Sequence, residues 1–156
     1  MRRFILWLLT HSIALAAGFA LGIYFLPILT APPSPDAEML AEQSQGAAFK
    51  ATFTRELSGS DFLHWGEGEI ALSDERIVHM GKLAPGPDYK LYLVQDFVED
   101  EAGFLPLKAA ALQVGDVKSF NGFVVDLPEG TDLTAYTTVL IWCESFGEFI
   151  TSAEYR

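Results

Sequence analysis

The chain has 156 residues, half of them apolar, and 21 acidic side chains against 10 basic ones give it a formal charge of −11. That length fits one ordinary domain built on one core. The carboxylate surplus disfavours nucleic acid as a partner: a negative field repels phosphate backbones and anionic headgroups and favours cations or basic proteins.

The first element is the run FILWLLTHSIALAAGFALGIYFLPIL, Phe4 to Leu29, which carries no charge and only Thr10, His11 and Ser12 as clearly polar side chains. Roughly 20 apolar residues suffice to cross a bilayer, whereas a cleaved secretory signal has an apolar core of about 7 to 15. Cleavage at Ala14-Leu15-Ala16 would leave a greasy new N-terminus, and no cysteine near the end of the run marks a lipoprotein. Residues 1–30 are therefore expected to be a retained signal anchor, a transmembrane helix with the lipid bilayer around residues 4–29. Arg2 and Arg3 on the short side keep the N-terminus in the cytoplasm and make the rest periplasmic or extracellular. Pro27 is tolerated near the exit. His11 reads as a neutral imidazole reaching the interface or pairing within a dimer. All the acidic residues follow this run and two of the basic ones precede it, so the exported part carries a formal charge of about −13.

Residues 31–48 change character, with Pro32, Pro33 and Pro35 followed by small polar residues, and read as a Pro-rich linker. A short helix from about Asp36 to Gln43 is expected, since Asp36 is a fair N-cap. From 49 to 156 the periodicity is that of strands, as in Phe49, Ala51, Phe53 and Leu57 alternating with polar neighbours. Further strands are expected at 68–72, 76–81, 89–94, 114–119, 122–127, 137–143 and 148–155, separated by turn signals such as APGPD and LPEGTD. One helical turn is expected around Phe104 to Ala111. The fold class is mainly β: an antiparallel β-sandwich or barrel-like domain after one N-terminal transmembrane helix.

Several stretches of this domain resemble the DM-thirteen domain family. Gly115, Lys118 and Gly122 precede the turn at Leu127-Pro128, and Tyr136 precedes a strand with Val139, Ile141, Trp142, Cys143 and Phe146. GSDFLHWGEGEIAL is similar to the family's histidine before a Gly-rich strand, and GPDYKLYL to its Pro-Asp strand. The resemblance covers about Phe49 to Tyr155. It implies a β-rich extracytoplasmic module, proposed to transfer electrons through its characteristic cysteine and found in some proteins beside heme-binding DOMON domains.

Cys143 is the only cysteine. On strand periodicity it shares a face with Val139 and Ile141, while Trp142 shares the opposite face with Leu140. A free cysteine often packs as a small hydrophobe, yet export places this one under oxidising conditions with no partner for a disulfide. Glu144 beside it raises the thiol pKa, which argues against an activated thiolate. A copper or heme site would draw on His64, His79, Met80 and Cys143. A blue-copper site needs two histidines, a cysteine and usually an axial methionine, and neither His nor Met follows Cys143. The candidate set is thus Cys143 as redox group, Cys143 and His64 as metal ligands, and His64 and Trp142 against a cofactor, with His64 alternatively holding a turn. Asp96, Glu99, Asp100 and Glu101 lack the pattern of a calcium loop and read as solvated. No catalytic triad or phosphate loop is present. Two functions follow: a membrane-anchored electron-transfer module meeting a redox partner protein, or a non-catalytic binding sandwich in which Cys143 and Trp142 fill the core.

Overall fold

The computed structural model describes residues 1–156. Its first helix, α1 (Arg2–Thr30), is long and apolar enough to cross a membrane, a property that spans and signal sequences share, and none of its residues is buried. The His11 ring stacks on Trp7 at 3.8 Å, and its Nδ1 lies 2.8 Å from the Trp7 carbonyl, so the imidazole finds its partner within its own helix.

The chain after α1 is held against the strands. Ser34 Oγ lies 2.8 Å from Ser119 Oγ. The helix α2 (Ala37–Gln43) opens on Asp36, whose carboxylate accepts the Met39 N–H at 2.7 Å, as the N-cap rule requires. Leu40 is buried beside Gly122, where a Cβ would meet it at 2.5 Å, so only glycine leaves room for this helix.

Eight strands follow: β1 (Phe49–Phe53), β2 (Gly66–Leu72), β3 (Arg76–Leu83), β4 (Tyr89–Val94), β5 (Leu112–Val117), β6 (Phe123–Asp126), β7 (Thr138–Cys143) and β8 (Glu148–Glu154). They form two antiparallel four-stranded sheets, ordered β1-β2-β3-β6 and β5-β4-β7-β8. β6 runs beside β5 and β1 beside β8, so the sandwich approaches a flattened barrel. Each expected strand is present, with β5 starting two residues earlier than its apolar pattern suggested, beside a register shift at Leu91/Tyr92. The expected helical turn at 104–111 is present, the Lys108 and Ala111 N–H groups donating to the Phe104 and Leu107 carbonyls at 2.9 and 3.0 Å. A helix α3 (Glu101–Phe104) starts earlier, capped by the Asp100 carboxylate on the Gly103 N–H, and hydrogen-bonded turns continue to Ala111. Pro106 has no N–H to extend a regular helix.

Two apolar clusters result. The larger lies between the sheets and contains Phe53, Ile70, Leu91, Val139, Ile141 and Cys143. The smaller lies on the outer face of the second sheet, where Tyr92, Leu140, Trp142 and Phe149 are covered by Val98 and Phe104 from the segment after β4. Both faces of β7 are therefore buried along its whole length, each large side chain contributing roughly 1.5–3 kcal/mol. Alternation along TVLIWC sends the cysteine inward and the tryptophan outward.

Candidate functional site: the Cys143 cavity

Cys143 ends β7 and is 3% exposed. Antiparallel pairing sets it opposite Tyr89, the first residue of β4, which brings the preceding loop over the sulfur. Its Sγ–H donates to the Pro87 carbonyl at 3.1 Å. Burial pushes the thiol pKa up and the carboxylates of Asp88 and Glu148 add to that, while the backbone N–H groups of Phe146 and Ser145 oppose the rise without cancelling it. The direction matches the sequence reading, but the cause is corrected. Glu144 points to the other face of β7, accepting a hydrogen bond from Lys108 Nζ at 2.6 Å and another from the Tyr92 hydroxyl.

Cys143 and His64 line one cavity of about 340 Å³, together with Tyr89, Pro87, Phe146 and Glu148, and Ile23 and Tyr24 of α1 close one side. His64 is fixed by Asp61. One carboxylate oxygen accepts the N–H groups of Leu63 and His64 at 2.6 and 2.8 Å, and the other lies 3.0 Å from His64 Nδ1. Partial burial raises the Asp61 pKa, but these hydrogen bonds outweigh it and hold the carboxyl below its usual range. His64 thus holds a turn at the cavity while leaving Nε2 free.

Trp142 does not join them. It is buried on the opposite face of β7, its ring 5.0 Å from that of Phe104, with Lys108 Nζ 5.3 Å from its centroid. His79 is also elsewhere, fully buried in the first sheet between the rings of Phe53 and Phe123 at 5.3 and 5.0 Å. Its Nε2–H donates to the Glu67 carbonyl at 3.0 Å, and Nδ1 has no partner. Desolvation lowers its pKa to about 4 against the small opposing effect of that carbonyl. The close approach needs the facing glycines of β2 and β3: a Cβ on Gly81 would lie 1.9 Å from the Glu67 oxygen.

No three His, Cys, Asp or Glu side chains converge to hold a metal ion. The donors do not fit a blue-copper centre, whose second histidine is missing, and a cavity at the lower limit of small-molecule sites does not enclose a macrocycle the size of heme. Two carboxylates of the acidic run serve the fold instead: Asp100 caps α3, and Glu101 accepts the Phe149 N–H at 3.1 Å.

Sequence reasoning did not single out Pro87, Tyr89 or Glu148, and it named Phe146 only as part of the family motif. The signal was there in the pairing of two motifs, because GPDYKLYL and VLIWC are register partners and must bring Pro87 to the cysteine.

Comparison with known families gives one match: the family model described as "Electron transfer DM13" covers residues 56–155. No curated protein and no solved structure matches the chain.

Proposed function

The chain belongs to the electron-transfer DM13 family, and we propose on that premise that Cys143 is the redox-active group of a membrane-anchored module. In this reading residues 1–30 are the anchor, 31–48 the link to it and 49–156 the working domain. Arg2 and Arg3 hold the N-terminus in the cytoplasm, so the domain meets its redox partner protein on the outer side. The observation that carries the proposal is the placement of the family's cysteine on the wall of an apolar cavity that His64 also lines, under the Pro87 carbonyl.

The raised thiol pKa decides the chemistry. Cys143 is protonated at neutral pH, so oxidation of its sulfur to the thiyl level gives up one proton and one electron, oxidation to the sulfenic level, with its oxygen from water, gives up two of each, and the electrons pass to the redox partner. The midpoint potential should then fall by about 59 mV per pH unit. Voltammetry of the full chain in nanodiscs tests this, with the Cys143→Ala variant expected to lose the wave. A wave that survives the substitution would place the redox group elsewhere.

The second reading, a binding sandwich, is favoured by the packing of Cys143 within the main cluster. It requires a wild-type chain with no redox transition and no thiol oxidation under physiological oxidants.

A further inference from the structure

α1 is 29 residues long, about 43 Å of helix at 1.5 Å per residue, against roughly 30 Å of hydrocarbon in a bilayer. With Arg2 and Arg3 at the headgroups of one side, roughly 20 residues of helix fill the hydrocarbon and the turns from about Ile23 onward rise through the headgroup layer at the end that leads to the strands. Only Ile23 and Pro27 of this helix are even half-buried. They lie four residues apart, hence on one face, and they line the two cavities that α1 shares with the loop at Pro87. The sandwich therefore lies beside the last third of α1, at the level where the helix leaves the lipid.

The same end of the sandwich carries apolar side chains with nothing over them. Phe62 is 90% exposed, Phe146 54% and Leu63 47%. Leu63 and Phe146, on two different loops, rim the cavity that Ile23 and Tyr24 close. Lys118 lines the neighbouring cavity beside Ala31 and Pro32, but its ammonium already pairs with Asp116 at 3.2 Å, so the apolar tips alone carry the contact with lipid. Apolar tips on two loops, continuous with a membrane helix, suit the boundary between headgroups and acyl chains.

We infer that Phe62, Leu63 and Phe146 insert into that boundary, so that the sandwich rests on the bilayer with the mouth of the Cys143 cavity turned toward lipid. The inference depends on α1 being a retained anchor, and does not depend on the redox role of the cysteine.

Photo-crosslinking tests it on the full chain in phosphatidylcholine nanodiscs, with p-benzoylphenylalanine replacing Leu15, Phe62, Phe97 or Phe146 one at a time. Phe97 is the control, an exposed phenylalanine just beyond the end of β4 opposite Tyr89. Phospholipid adducts at 15, 62 and 146, with their loss at 97, are expected. Adducts at 15 alone would leave the anchor standing and overturn the docking. Equal lipid adducts at 62 and 97, or chain-to-chain adducts at 62, also overturn it. No lipid adduct at 15 removes the anchor, and the docking with it.

Discussion

Replacing His79 by glutamine should remove a pH dependence that belongs to this one side chain. His79 is fully buried between Phe53 and Phe123, its Nε2–H is held by Glu67, and no acceptor waits for a second proton's donor at Nδ1. Its folded pKa of about 4 lies below the ordinary value of 6.5, so the neutral form is the one the fold selects. The stabilisation is complete above the unfolded pKa and is lost as pH falls toward the folded one. A gap of that size corresponds to about 3 kcal/mol between pH 7 and pH 4, at 1.36 kcal/mol per unit. His79→Gln keeps a donor for Glu67 and cannot titrate in this range. Urea denaturation of both chains, followed from pH 7 to pH 4, should show wild type losing about 3 kcal/mol more than the variant. The carboxylates that also titrate there are common to both and cancel. Parallel curves would mean that His79 does not meet its proton in the core, and the reasoning from burial would fail.

Cys143→Ala should cost about 1–2 kcal/mol by removing one small buried group, measured by the same denaturation, while the voltammetric wave disappears. Trp142→Ala should cost about 3–5 kcal/mol, yet leave the midpoint potential of any refolded protein unchanged, because the indole lies across β7 from the sulfur. Gly81→Ala should lower stability by about 2–4 kcal/mol, since its Cβ would strike the Glu67 carbonyl that receives the His79 proton; a neutral thermal shift would contradict the register. Asp36→Ala should cost about 1 kcal/mol through loss of the N-cap on α2, seen as a small fall in melting temperature.

The strands were legible because half-buried antiparallel strands alternate and because Gly, Pro and Asp punctuate them; TVLIWC even revealed its two destinations, Cys143 inward and Trp142 outward. The segment after β4 was harder. Its carboxylates look like a solvated run, but Asp100 and Glu101 are spent on backbone N–H groups, and Phe104 turns the segment into a cover for Trp142. The short 3₁₀ turn at Leu133–Ala135 rests on Asp132 accepting the Thr134 N–H, a contact too local to disturb the apolar pattern. At the cavity, Cys143 and His64 stand out by residue type. Their neighbours Pro87, Tyr89 and Glu148 do not, because proximity there is set by strand register, over more than 50 residues for Pro87 and Tyr89 and across the β7–β8 hairpin for Glu148. The rise in the thiol pKa shows the same limit: the adjacent Glu144 faces away, and the carboxylates that act on the sulfur include Asp88, distant in sequence.

β1 lies beside β8 and β6 beside β5, but no ladder joins either pair, so the outer strands keep their edges while the strand most prone to pairing is held inside. Open edges are templates for cross-β growth, and a segment as β-prone and uncharged as TVLIWC would be a seed were it reachable. β7 is instead an inner strand, flanked by β4 and β8. Copies concentrated in a small volume therefore meet without offering β7 to one another, and a surplus of like charge keeps those collisions brief.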